Sequence, residues 1–259
     1  MGNVFDKTYG FISDVIHVNW LKTLYINFRM LPFIDAIRLP IIIWGRCQLA
    51  LKGGKIVFAV PVKRGLLKIG YHYEIFSFKE PSQIKVHGTF TIKGEVWLGS
   101  SIKIFIEPNA NLCMGELSSL GSCSSLVCSK SVVFSDYARV GSFSDISDSN
   151  YHYMKNLIDN SIFPYSKPIL IGTRNYIGSR VALLPGTMTP DNITIGFGSV
   201  CNKDYRGIIP ENSIMAGVPA KLVKKDIVRI FDFKKESVIR DFFLQSGEDV
   251  YYDNILPFS

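Results

Sequence analysis

The chain has 259 residues, 47% of them apolar and 20% charged, which excludes disorder and allows one large domain or a domain with appendages. Its net charge of +7 gathers late, at Lys221, Lys224, Lys225, Arg229, Lys234, Lys235 and Arg240. That cluster suits either a solvated helix face or an anion-attracting surface. Five cysteines (Cys47, Cys113, Cys123, Cys128 and Cys201) make an odd count without a CxxC pair, so they read as buried small hydrophobes and not as a disulfide frame or zinc site.

At the start, Met1-Gly-Asn-Val-Phe-Asp6 has no basic segment leading into an apolar core, and Asp6 stands where a myristoylation motif needs Ser or Thr. The expected location is the cytoplasm. Ile16, Trp20, Leu24, Phe28 and Leu31 recur at helical spacing after Ser13-Asp14, and Pro32 ends the run. The apolar face of this helix is expected to pack on the body of the protein, with a peripheral membrane contact as the lesser alternative. The run Leu39 to Trp44 is too short to cross a bilayer. Lys55 to Val60 reads as a strand closed by Pro61. No nucleic-acid motif occurs and the basic residues are not interleaved with aromatic platforms, so nucleic acid is not expected as a partner.

A six-residue beat begins faintly at Ile92, Leu98, Ile106 and Leu112, blurs through the Ser- and Cys-rich stretch from Leu117 to Ser125, and returns at Cys128, Phe134, Val140 and Ile146. Residues 150–168 break step. With Tyr151, His152, Tyr153, Phe163 and Tyr165 they are too irregular for coils and too aromatic for a passive linker, so they read as a loop thrust from the regular structure. The beat then runs without slippage through Ile171, Ile177, Leu183, Thr189, Ile195 and Cys201. Helices repeat at 3.6 and ordinary strands at 2, so a sustained six indicates a parallel β-helix in which each hexad supplies one short strand and one corner. The chain divides into a helix-and-strand extension over 1–91, a solenoid over 92–221 with the inserted loop 150–168, and an amphipathic helical tail over 222–259. The tail is expected to cover the last coil, whose strand edge is otherwise open.

Gly186-Thr-Met-Thr-Pro-Asp-Asn-Ile-Thr-Ile-Gly-Phe-Gly-Ser-Val-Cys-Asn-Lys-Asp204 and the closing Ile214-Met-Ala-Gly-Val-Pro-Ala-Lys221 resemble the last coils and C-terminal signature of the hexapeptide-repeat acyltransferases. Ile169-Leu-Ile-Gly172 with Tyr176-Ile-Gly178 is similar to that family's isoleucine-glycine segment, with Tyr in place of Trp. Ile146-Ser-Asp-Ser-Asn-Tyr-His152 looks like the stretch that carries its catalytic histidine. The resemblance is strong over 128–225 and weak before 92, and the helical N-terminus looks most like the members that O-acetylate bacterial surface polysaccharides. It implies a mainly β fold, a left-handed parallel β-helix. The handedness comes from the resemblance alone, because parallel connections are ordinarily right-handed.

The resemblance also implies an acetyl-CoA-dependent O-acetyltransferase, a homotrimer with a shared groove, a carbohydrate acceptor and no metal. His152 is the expected base, since imidazole titrates near neutrality, whereas His17, His72 and His87 read as ordinary structural residues. Asp148 orients that ring, binds substrate or caps a turn; the residues alone leave all three open. Tyr176, Gly178, Ser179, Gly198 and Ser199 are candidates for the pantetheine arm, and Lys203 and Lys221 for the coenzyme phosphates. Conformational need accounts for the glycines equally well. Asn150, Tyr151 and Tyr153 are candidates for the acceptor sugar, or they pack the loop onto a neighbour. The basic C-terminal end is expected to make a weak peripheral contact at the cytoplasmic membrane face. Competing readings are an N-acetyltransferase of a nucleotide-linked amino sugar, a non-catalytic β-helix scaffold, and a γ-type carbonic anhydrase, which needs three zinc histidines where the repeating part offers His152 alone.

Overall fold

The computed structural model describes residues 17–71 and 78–253. Within them the chain winds into three parallel sheets. Sheet I stacks β1 (Ile41–Ile43), β4 (Leu67–Ile69), β7 (Val96–Leu98), β10 (Ser118–Leu120), β13 (Arg139–Val140), β18 (Tyr176–Ile177), β20 (Ile193–Ile195) and β22 (Ser213–Gly217), and ends on β23 (Ala220–Lys224). Sheet II stacks β2 (Cys47–Ala50), β5 (Ser82–Val86), β8 (Lys103–Ile106), β11 (Ser125–Cys128), β14 (Asp145–Ser147), β19 (Ala182–Leu183) and β21 (Val200–Cys201). Sheet III stacks β3 (Lys55–Phe58), β6 (Thr89–Ile92), β9 (Asn111–Met114), β12 (Ser131–Phe134) and β17 (Ile169–Ile171). This is the expected parallel β-helix, wound with three strands to a coil.

The register explains the beat. Tyr176 pairs with Thr194 and Ala182 with Val200, each eighteen residues on, so three hexads close one coil. Earlier coils are longer: Trp97 pairs with Ser119 and Ser119 with Arg139, separations of 22 and 20 residues, which is why the rhythm is faint there. Ile171, Ile177, Leu183, Ile195 and Cys201 are all buried in one continuous core with Ile92, Leu98, Phe134 and Ile146. Thr189, the polar member of the beat, is buried too, and its hydroxyl accepts from the Gly172 N–H at 2.9 Å and from the Asn175 side chain at 2.6 Å. Through the Ser-rich stretch the beat shifts phase to Met114, Leu120 and Leu126, all fully buried. Corners are tight because successive coils lie on one another. A Cβ on Gly99 would meet the Ser122 nitrogen at 2.5 Å, and one on Gly121 would meet the Ser142 nitrogen at 2.4 Å.

Three expectations are corrected. The β-helix starts at Ile41, not near residue 92, because β1, β2 and β3 pair in parallel with β4, β5 and β6 of the next coil. Their spacing is too uneven to show as a repeat. The second correction concerns α1 (Trp20–Met30), which buries Thr23, Ile26 and Asn27 while Trp20, Leu24 and Phe28 face outward; Ile16 and His72 lie outside the described residues. Asn27 and Thr23 face inward because β1 needs partners along its open edge. Asn27 donates to the Ile41 carbonyl at 2.7 Å and accepts from the Ile41 N–H at 3.2 Å, and Thr23 accepts from the Ile43 N–H at 3.0 Å.

The third concerns the tail. Leu222 to Lys224 belongs to β23, which folds back antiparallel on β22 and takes the last edge of sheet I. The following segment lies on the outer face of that sheet, with Arg229 stacked 4.1 Å over the Tyr176 ring and Phe231 under Arg139 at 5.4 Å. Only then does α3 (Phe233–Ser246) begin, capped by the Asp232 carboxylate.

Candidate active site

The loop leaves the solenoid at the corner between sheets II and III. Its base is stapled: the Lys167 N–H donates to the Asp148 carbonyl at 2.8 Å, the Asn150 N–H donates to the Tyr165 carbonyl at 2.8 Å, and Ser149 bridges Ser166 between them. Beyond the staple, β15 (Met154–Lys155) and β16 (Ile162–Phe163) form a short antiparallel hairpin. Tyr153 and Tyr165 meet edge to face at 5.4 Å.

His152 sits exposed just outside this staple. Its Nδ1 lies 2.7 Å from the Asn150 carbonyl oxygen. A carbonyl only accepts, so in the neutral ring the proton is on Nδ1 and Nε2 keeps a free lone pair. That is the tautomer a base needs. Asn150 also lines a cavity of about 200 Å³ with Pro164, Lys167, Leu184, Pro185 and Asn202. One residue therefore both fixes the imidazole and borders the cavity.

Asp148 does something else. It is fully buried, and its carboxylate accepts from the N–H groups of Ser129 at 2.6 Å, Lys130 at 2.8 Å and Ser131 at 2.7 Å. It braces the corner one coil earlier, and the ring's partner at Nδ1 is Asn150. Tyr151 is half exposed at a left-handed φ of 57°, its phenol raised above the usual range by burial and by the Glu107 carboxylate beside it. Tyr153 is exposed.

The remaining candidates fall at two edges of sheet II. Gly178, Ser179, Gly198 and Ser199 occupy the corner between sheets I and II, with Tyr176 on the face of sheet I. Asn202 and Lys203 follow β21 at the corner that carries the loop. Ser199 is fully buried, its hydroxyl donating to the Gly196 carbonyl at 2.7 Å and accepting from the Gly217 N–H at 3.1 Å, so it is committed to the corner. Gly178 is needed for closeness, since a Cβ would meet the Ile195 oxygen and the Phe197 nitrogen at 3.0 Å; Gly198 is needed for its φ of 69°. Lys203 is exposed, its ammonium 5.6 Å from the Tyr205 ring, and Lys221 is exposed on β23. From Ser199 across β21 to Asn202 and Lys203 the chain spans roughly 10–13 Å at ~3.3 Å per residue, so the two sets stand at separate corners of one coil.

Sequence reasoning passed over Lys167, Pro185 and Asn202. Asn202 lies inside the Gly186–Asp204 stretch, one residue before Lys203, so the motif itself contained the signal. Lys167 is brought in only by the staple. Of the other histidines, His87 is satisfied structurally, its Nδ1 2.8 Å from the Lys52 carbonyl. Burial pushes the thiols of Cys47, Cys128 and Cys201 up to about 12, which leaves them protonated and inert. A larger cavity of about 590 Å³, lined by Gly172, Pro190, Asp191, Arg206, Glu211 and Lys225 among others, includes none of the residues placed at the chemistry by the motifs.

No family model matches the chain. It is 45% identical over 60 residues to the putative lipopolysaccharide biosynthesis O-acetyl transferase WbbJ of Escherichia coli K12, covering 23% of this chain and 29% of that protein. It is 39% identical over 83 residues to galactoside O-acetyltransferase of the same organism, covering 32% of this chain and 37% of that one. The matched segments thus span about a third of the length of these relatives. The crystal structure of the polySia specific acetyltransferase NeuO overlays with a TM-score of 0.49 at 19% identity, over 79% of this chain and 96% of that chain. Hexads wound three to a coil and closed by Ala216-Gly-Val-Pro-Ala-Lys221, together with this likeness in sequence over the matched segments, make the chain similar to the hexapeptide-repeat acyltransferases.

Proposed function

We propose that the chain is an acetyl-CoA-dependent O-acetyltransferase whose acceptor is a sugar hydroxyl of a bacterial surface polysaccharide, capsule or O-antigen, or of its precursor. The observation that carries this reading is the exposed His152 ring, held at Nδ1 by the carbonyl of Asn150, a residue that itself lines a cavity. Nε2 takes the hydroxyl proton as the sugar oxygen attacks the thioester carbonyl. The tetrahedral intermediate then collapses, the C–S bond breaks, and the coenzyme thiolate takes the proton back from the imidazolium. Both substrates are present together. The protonated thiols of Cys128 and Cys201 favour this direct transfer over an acyl-enzyme.

The functional unit is a homotrimer with the groove shared between copies. Two features support it. Gly178 and Ser179 stand at the opposite edge of sheet II from the His152 loop in one chain, while Lys203 lies on the loop's side, and a neighbour's edge can complete each half. The loop also exposes Leu157 (85%), Ile158 (94%) and Ile162 (63%), an apolar tip suited to burial against another copy. Lys203 and Lys221 neutralise the coenzyme phosphates, Tyr176, Gly178 and Ser179 flank its arm, and Asn150, Tyr151 and Tyr153 face the sugar. The enzyme works in the cytoplasm, where acetyl-CoA and activated sugars are made.

The test is transfer by purified protein. Acetyl-CoA is supplied with acceptors bearing sugar hydroxyls or an amino sugar nucleotide, and free thiol is followed. Hydroxyl-dependent thiol release that disappears in His152→Ala is expected. Transfer to the amine alone would replace this reading with N-acetylation, and no transfer to either would leave a scaffold.

A further inference from the structure

The N-terminal cap presents its apolar side to solvent. Because Asn27 and Thr23 turn inward to satisfy the edge of β1, the opposite face of α1 carries Trp20, Leu21, Leu24, Tyr25 and Phe28 outward. A second short helix, α2 (Phe33–Ala36), extends this surface with Phe33, Ile34 and, just after it, Ile37; the rings of Phe28 and Phe33 lie 6.0 Å apart, which makes the patch continuous. Leu21 is 84% exposed, Phe33 70% and Ile34 67%. An amphipathic helix ordinarily buries its apolar stripe, and a patch of this size without a partner marks an interaction surface. Among the described residues nothing covers it.

Charge says what kind of partner fits. From His17 to Lys68 there are nine Lys and Arg residues against the single acid Asp35, although the whole chain has 29 basic and 22 acidic residues. Lys22 and Arg29 are on α1 itself; Arg64 stands 6.0 Å from the Trp20 ring, and Arg38 follows Ile37 and donates to the Val62 carbonyl at 3.3 Å. Apolar and aromatic side chains ringed by cations match the boundary between acyl chains and anionic headgroups. At 11 residues α1 is far too short to span a bilayer, and among the described residues no helix is long and apolar enough to do so.

We propose that the α1–α2 cap is a docking surface for an anionic lipid bilayer, on which the β-helix stands by its N-terminal end. The contact is separate from the C-terminal basic cluster, in which Arg229 is engaged with Tyr176 and Lys235 with Asp253. β14, which leads into the His152 loop, is fifth in sheet II, so four strand spacings of ~4.8 Å hold that loop roughly 20 Å above the first coil. An acceptor on a membrane-anchored carrier would be met at that height. The inference does not depend on acetyl transfer.

The experiment is co-sedimentation of the full chain with large vesicles of phosphatidylcholine, with and without phosphatidylglycerol. Binding to the anionic vesicles that weakens with salt is expected. The exposed pair Leu21→Glu with Ile34→Glu should lower partitioning by about tenfold or more, with an unchanged circular dichroism spectrum and particle size. Absence of binding by the parent, or equal binding by the double variant, would overturn the proposal. So would a smaller particle in the double variant, since the face would then be an interface between copies.

Discussion

The Asn150 carbonyl accepts the Nδ1–H of His152 at 2.7 Å, and because the acceptor is main chain, no substitution at 150 removes it. His152→Ala should lower turnover by roughly 10²- to 10⁴-fold and leave coenzyme binding nearly unchanged. Asn150→Ala keeps the carbonyl and so the tautomer, and should raise the acceptor KM more than it lowers kcat. Single-turnover and steady-state rates on the two variants separate these effects. Equal losses of kcat would remove the distinction.

Asp148 should behave as a structural residue. Asp148→Ala strands three buried N–H groups, a loss of about 2–4 kcal/mol and, for a chain of this size, roughly 5–15 °C in melting temperature. Calorimetry measures it. A variant with native stability and a collapsed kcat would instead make Asp148 part of the chemistry.

Lys203→Ala and Lys221→Ala should each raise the KM for acetyl-CoA about two- to fivefold, the range for exposed charge pairs, with little change in kcat. Added salt should mimic the substitutions. Unchanged KM and unchanged salt dependence would return both lysines to the solvated surface.

Ile158→Glu places a charge at the most exposed apolar position of the loop and should split the proposed trimer, lowering activity with His152 intact. Sedimentation velocity at micromolar protein reads the outcome. A parent that sediments as a monomer would end the shared-groove model.

Glu95 links the outer face of sheet I, accepting from Lys68 at 2.5 Å and from the Trp97 indole at 2.7 Å. Burial would raise its carboxyl, but these two bonds and the Lys68 charge outweigh it and hold the carboxyl below the usual range. A depressed folded-state value contributes stability that is present above the unfolded carboxylate range and is lost as pH falls through the folded value. Glu95→Gln should therefore flatten the acid limb of a melting-temperature profile below about pH 4.5. An unaltered limb would show that other carboxylates carry it.

The residues Ile171, Ile177, Leu183, Ile195 and Cys201 announce the solenoid because a coil of eighteen residues imposes its period on the chain wherever nothing is inserted. Where insertions vary, as before Ile92, the same geometry leaves no fixed period, and the first coils from Ile41 went unseen. His152 stood out by its motif. Its partner at Nδ1 did not, because a main-chain carbonyl has no side-chain signature.

By itself the sequence determined the fold, the family resemblance and the one histidine worth testing, since periodicity and motif are properties of neighbours along the chain. Only the tertiary structure decided that Asp148 braces a corner, that Ser199 is sealed, and that α1 turns its apolar stripe outward. Each of those outcomes depends on which unpaired backbone groups a side chain meets from another coil, and hydrogen bonds to a strand edge outrank an apolar stripe when the edge is otherwise open.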